Sequence, residues 1–157
     1  MWVFFLWVEI ILTALMMSIT LDVNHAFKTE AMLQGAADAA TLAGAFQNHE
    51  VVIKDAYNAP IGADFVLNDD NSPEYWAQQA WNKNISSFTE GAGFNTVPTF
   101  QRTWDNKGIE CTVQQTVHMT VSQTVTNKLF GSAPDVKVNI PVDSVAKAIP
   151  YENGADN

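Results

Sequence analysis

Histidine, cysteine and clustered oxygen side chains are the residues with which this chain could do chemistry, and they are few and scattered. His25, His49 and His118 stand far apart, with no paired-ligand spacing and no neighbouring Cys or carboxylate arranged as in a zinc site. Each reads as a surface or helix-end histidine. Cys111 is the sole cysteine, which excludes an intrachain disulfide and a thiolate metal cluster. A nucleophilic role would need a partner base, and no motif places one. The run Asn68-Asp69-Asp70-Asn71-Ser72 with Glu74 is oxygen-rich enough for calcium. It lacks the glycine and spaced acidic ladder of an EF-hand, and the same residues suit a capped helix start. Asn84-Ile85-Ser86 fits the glycosylation acceptor pattern, and no Gly-rich phosphate loop is present. The expectation is therefore no catalytic residue, no metal, no cofactor and no small-molecule substrate: the chain should not be an enzyme.

Charge narrows the partners. The formal net charge is -9, from 17 acidic and 8 basic residues among 157, and the basic residues are spread almost evenly. Nucleic acid needs a concentrated positive footprint, so it is not expected as a partner. No polybasic segment exists to grip anionic lipid heads either.

The elements that must position any site begin with a membrane segment. Trp2 to Leu21 reads WVFFLWVEIILTALMMSITL, with Glu9 as its only ionisable side chain. At about 1.5 Å of rise per residue, 20 helical residues span about 30 Å, the thickness of a bilayer core. A cleaved secretory signal would carry a basic n-region and a shorter apolar run, so a retained anchor is the expectation. A carboxylate at the depth of Glu9 is costly unless neutralised, paired or facing protein. It either meets a partner's cationic group or is protonated and bonds a local carbonyl or Thr13. Trp2 and Trp7 could mark an interface, and Trp7 is deep enough to contact a neighbouring helix.

Beyond Leu21 no Pro occurs until Pro60, and good helix formers dominate to Gln47. One helix over residues 1–47, about 70 Å long, is expected, carrying a small acidic domain over 48–157. Gly35, Ala39 and Ala43 repeat every four residues, as do Ala36, Ala40 and Gly44. Two such ridges of small side chains let another backbone approach closely. Either a partner helix or the chain's own domain covers them.

In that domain, Ile109, Cys111, Val113, Val117, Met119 and Val121 alternate with polar residues, the signature of a half-buried strand with Cys111 inward. Thr96 to Trp104 precedes it across the turn Asp105-Asn106-Lys107-Gly108, predicting a hairpin. Val136, Val138, Ile140 and Val142 form another alternating run, and Pro141 places that strand at an edge. Val125, Leu129 and Phe130, closed by Gly131, predict one short helix. Asn71 to Asn84 predicts a second, capped by Asn71 with Glu74 and presenting Trp76, Ala80 and Trp81 as an apolar face. Residues 58–70 and 85–95, rich in Gly, Asn, Ser and Asp, read as loops. The fold class is α+β: the long helix, then a small antiparallel sheet with two short helices. Trp76, Trp81, Trp104, Tyr57 and Tyr75 serve either the core of this small domain, the favoured reading, or a partner-binding surface around Trp76 and Trp81.

Val8-Glu9 in an apolar span, Leu21-Asp22-Val23 at its exit, and the stretch from Leu33 through Gln34-Gly35-Ala36-Ala37-Asp38-Ala39-Ala40-Thr41-Leu42-Ala43-Gly44 to Ala45 together resemble the TadE/TadG-like family of Flp (tight adherence) pilus-assembly proteins. The family's hallmark is a hydrophobic helix followed by an "LQxAADAAxLAGA" stretch. The segment 117–148 is similar to its closing pattern of strand, short helix and final strand. Phe5-Leu6-Trp7-Val8-Glu9 has the spacing of a processed pilin start, with Phe4 where the processing Gly would stand. The DxSxS metal motif of longer TadG-like proteins does not occur here. The resemblance implies a structural pilin-like or pilus-assembly subunit, single-pass in a bacterial inner membrane with its C-terminal domain extracytoplasmic. It implies contacts to the bilayer and to other membrane subunits, identical or different, through Trp7, Glu9 and the two ridges. The alternative is an accessory single-span scaffold of a larger integral-membrane enzyme or pigment complex.

Overall fold

The computed structural model describes residues 2–88 and 96–149. The order is α1 (Trp2–Ala45), β1 (Asn48–Lys54), β2 (Pro60–Leu67), α2 (Ser72–Phe88), β3 (Thr99–Arg102), β4 (Gly108–His118), α3 (Thr120–Phe130) and β5 (Lys137–Lys147). The fold is α+β, with a two-stranded antiparallel sheet β1-β2 and a three-stranded sheet β3-β4-β5. The chain divides into two compact units, Met1–Ala31 with Gln114–Pro141 and Met32–Val113 with Val142–Asn157. The outer half of α1 belongs to the second unit, and β4 and β5 contribute to both units.

Helix α1 has 44 residues, about 66 Å of rise. It is the one described helix long and apolar enough to cross a membrane, with a window of mean hydropathy 2.1, and could be a single span or a signal anchor. It ends two residues before the expected Gln47. There the Gln47 N–H turns back to the Gly44 carbonyl at 3.0 Å, and the Asn48 side chain donates to the Ala45 carbonyl at 2.7 Å.

In the first unit, β4 stops at His118, not at Val121. The Met119 N–H donates to the Val136 carbonyl, and the chain then turns into α3. Alternation runs through this junction by coincidence, so Met119 and Val121 are not strand residues. Gly131 closes α3 in the left-handed conformation (φ 76°), its N–H on the Asn127 carbonyl at 2.8 Å, as expected of a glycine cap.

In the second unit, β3 and β4 pair antiparallel from Thr99 opposite Thr112 to Arg102 opposite Ile109. Asn106 adopts positive φ in the turn between them. β5 lies at the sheet edge, the position in which a strand tolerates a proline such as Pro141. The expected loop at 58–70 is instead largely β2, paired with β1 from Asn48 opposite Leu67 to Lys54 opposite Pro60. This hairpin turns on Asp55, whose Oδ1 accepts the Tyr57 and Ala59 N–H groups, with Asn58 at positive φ. Almost all of β1 is exposed, so no alternation marks it. Helix α2 runs to Phe88, past the expected Asn84, so 85–88 are helix; residues 89–95 of that expected loop lie outside the described residues. Its buried face is Pro73, Ala77 and Trp81, one residue around from the expected Trp76. Leu67, Ala77 and Ile109, with Phe100 against them, form the centre of the core.

Candidate functional site

The polar residues of the Leu33–Ala45 stretch have local structural work. The Ser144 hydroxyl donates to Asp38 Oδ1 at 2.6 Å, and Gln34 Nε2 donates to the same oxygen at 2.8 Å. Thr41 Oγ1 lies 3.0 Å from Ser144 Oγ, buried between α1 and β5. Buried polar groups persist when they satisfy one another, so this network fixes β5 against α1.

The two small-residue ridges separate. Ala36 and Ala40 are fully buried and Gly44 is buried: a Cβ on Gly44 would stand 2.8 Å from both Ile109 Cγ1 and the Pro73 carbonyl. At Gly44 this ridge packs on the chain's own α2 and β4, and Ala36 and Ala40 are buried within the chain. Gly35 is exposed, with nothing within 4 Å of a Cβ placed there, and Ala39 and Ala43 are half-buried. Of the two ridges, the Gly35/Ala39/Ala43 one keeps exposed surface, with open space at Gly35 for a close backbone approach.

Within the apolar span, Trp7 is 60% exposed and Glu9 is exposed. The Thr13 hydroxyl donates to the backbone carbonyl of Glu9 at 2.8 Å, an ordinary i−4 bond, and so does not serve its carboxylate. Leu6, Glu9, Ile10, Thr13, Ala14 and Met17 line a shallow groove along this face.

Asp22, at the exit of the span, does what its position alone did not disclose. It is 3% exposed, and its two oxygens accept the Val121 N–H at 3.1 Å and the Ser122 N–H at 2.7 Å. Met119 at the N-cap of α3 supplies no side-chain cap, so Asp22 caps α3 from another helix. Burial alone would push this carboxyl up. The hydrogen bonds from Ser122 and Val121 outweigh burial and hold it below the ordinary carboxylate range.

The oxygen-rich loop is held by the side chain of Arg102. Arg102 pairs with both carboxylate oxygens of Glu74 and donates to the carbonyls of Asn68 (2.9 Å) and Asp70 (2.6 Å) and to Asn106 Oδ1 (3.2 Å). Glu74 therefore does not close the expected capping box with Asn71. The Arg102 guanidinium holds the Glu74 carboxyl down, and Glu74 in turn raises Arg102. Asp70 Oδ1 instead accepts the Ser72 N–H and hydroxyl at the start of α2. Arg102 thus engages the Glu74 carboxylate and two carbonyls of the oxygen-rich run.

The other chemistry-bearing residues do not converge. His25 is exposed, His49 Nδ1 lies 3.1 Å from Asn68 Oδ1, and His118 Nδ1 lies 3.1 Å from Asp135 Oδ1. Cys111 is fully buried, as its strand position predicts, and burial, with Asp143 and Asp38 nearby, pushes its thiol up to about 11. Among the described residues no group of three His, Cys, Asp or Glu side chains could hold a metal. The aromatic residues depart from the favoured core reading. Only Trp81 is buried (2% exposed), whereas Trp76, Tyr75, Tyr57 and Trp104 are exposed. Trp81 therefore cannot share a surface with Trp76. No signal in spacing would have found Asp22 or Arg102, because their partners lie about 100 and 30 residues away in the chain.

Compared with family models, curated proteins and solved structures, the chain finds no match.

Proposed function

We propose that this chain is a membrane-anchored structural subunit, pilin-like or pilus-assembly in the manner of the TadE/TadG-like proteins it resembles, acting through helix packing and surface contacts without catalysis. The carrying observation is the split of α1 into two faces. Ala36, Ala40 and Gly44 are consumed by the chain's own fold, while Gly35 stays open beside Ala39 and Ala43, and Trp7 and Glu9 stay uncovered lower on the same helix. In hydrocarbon, an uncovered carboxylate at Glu9 favours a protein neighbour over lipid. Small residues on an open helix face favour close approach of another backbone. The subunit is single-pass in a bacterial inner membrane, with the domain after α1 on the extracytoplasmic side.

Gentle solubilisation of the native membrane, followed by isolation of the chain and identification of whatever remains bound, tests this reading. Many copies of this chain in one particle are expected of a filament. Unrelated cofactor-bearing subunits in fixed ratio would replace that reading with an accessory scaffold, and recovery of a lone monomer under conditions that keep other complexes intact would refute both.

A further inference from the structure

Among the described residues, β2 is the only strand that pairs with β1, and the two form a sheet of their own. The base of this hairpin is tied to the core by the buried Leu67, whereas β1 beyond Asn48 and β2 as far as Ala63 are exposed. Val51, Val52 and Ile53 are 40%, 48% and 45% exposed. A two-stranded hairpin is marginal by itself, and an open edge presents a row of backbone donors and acceptors to any further strand.

The backbone bonds show which groups that edge presents. The Asn68 N–H donates to the Gln47 carbonyl at 3.0 Å, one step below the pairing of Asn48 with Leu67. Antiparallel pairs alternate between bonded and non-bonded, so His49, Val51 and Ile53 spend their backbone groups on β2. In keeping with this, the Leu67 N–H points away from β1 and reaches the Asn106 carbonyl at 2.9 Å, and the Asp55 N–H turns back to the Ala59 carbonyl at 2.8 Å. The N–H and C=O groups of Glu50, Val52 and Lys54 therefore point outward from β1. Their side chains share one face of the sheet. Neither Glu50 nor Lys54 has an ion-pair partner among the described residues.

These residues make the edge self-complementary in one register. In an antiparallel pair of β1 strands, outward groups can bond only to outward groups. Centring the pair on Glu50 or Lys54 sets like charges opposite each other. Centring it on Val51 or Ile53 leaves Glu50 opposite an apolar residue. Centring it on Val52 sets Glu50 opposite Lys54 of the second copy and Lys54 opposite its Glu50, with Val52 against Val52 between the two charge pairs. Val51 then meets Ile53 of the second copy on the other face. Opposite charges and β-branched pairs directly across a ladder are the combinations that stabilise a sheet and fix its register.

We propose that the outer edge of β1 is a homotypic docking site, to which a second copy of this chain adds its own β1 antiparallel, centred on Val52. The product is a four-stranded sheet in the order β2-β1-β1-β2, held by an isologous contact. This goes beyond the packing of α1, and failure of either leaves the other standing.

Register-specific disulfide trapping in the full-length chain tests this, in detergent micelles that leave copies free to meet in any orientation and in a Cys111→Ala background. Directly opposed residues of an antiparallel pair have Cα atoms about 4.5 to 5.5 Å apart, within reach of a disulfide, whereas diagonal neighbours stand about 8 Å apart and out of reach. Mild oxidation should therefore link Val52→Cys to itself severalfold more than Val51→Cys or Ile53→Cys alone. A mixture of Val51→Cys and Ile53→Cys chains should link to each other as well as Val52→Cys does. Adding Glu50→Lys should lower the Val52→Cys yield severalfold, and adding Lys54→Glu to that variant should restore it. No link at position 52, equal links at 51 and 52, a silent mixture, or no rescue by the charge swap would each overturn the proposal.

Discussion

Replacing Asp22 by Ala should unlatch α3 while leaving the β3-β4 hairpin intact. The start of α3 has free N–H groups that no local side chain serves, and Asp22 satisfies those of Val121 and Ser122. Loss of a capping side chain typically costs about 0.5 to 2 kcal/mol, and hydrogen bonds to a charged group contribute about 1.5 to 3 kcal/mol. Water can reach the vacated amides once α3 loosens, so the expected cost is about 1 to 2 kcal/mol. That corresponds to a factor of about 5 to 30 in the opening equilibrium. Hydrogen exchange on the full-length chain in nanodiscs reads this as an equal loss of protection at residues 121–124, with β3 and β4 as internal controls. Asp22→Asn keeps one acceptor oxygen and loses the charge, so it should fall between the wild type and Ala. The folded-state carboxyl is held below its ordinary value, so the cap is complete above about pH 4 and weakens as pH falls through the lowered value. Unchanged protection in Asp22→Ala, or equal effects of Ala and Asn at neutral pH, would refute the reasoning.

Gly44→Ala should lower stability by about 1 to 3 kcal/mol in urea unfolding, because its Cβ has no room between Ile109 and Pro73, whereas Gly35→Ala should leave the fold as stable or more so. Arg102→Lys should cost about 1.5 to 3 kcal/mol, since an ammonium cannot grip Glu74 with two bonds and also reach the Asn68 and Asp70 carbonyls; chemical denaturation measures it. Cys111 should resist iodoacetamide at pH 8 until the domain unfolds, its thiol being both buried and raised to about 11; alkylation that follows denaturant concentration confirms this.

The strongly periodic parts of the fold were legible from residue types. The long Pro-free helix, the alternating rows of β4 as far as Val117 and of β5 from Val138 to Val142, the edge position of the strand with Pro141 and the Gly131 cap follow from local rules and appear as expected. The β1-β2 hairpin was not legible, because Val51, Val52 and Ile53 are consecutive and exposed and so leave no period-two trace. The faces of α1 were legible only as a pair of ridges. Which ridge the chain itself covers depends on Ile109, Pro73 and Ala77, residues distant in sequence. Asp22 and Arg102 escaped for the same reason: a carboxylate at the end of a span or a lone arginine acquires meaning only from distant backbone groups.

A photoreactive residue in place of Gly35, in the full-length chain in its native membrane, tests the central claim most directly. The side chain has open space there, so the fold should tolerate it. Helix packing through the Gly35/Ala39/Ala43 ridge predicts an irradiation-dependent adduct to another membrane chain, a second copy or a different subunit. The same probe at Trp104, 93% exposed on the β3-β4 turn, should give little. A stable, membrane-resident chain with no protein adduct at position 35 would contradict the account.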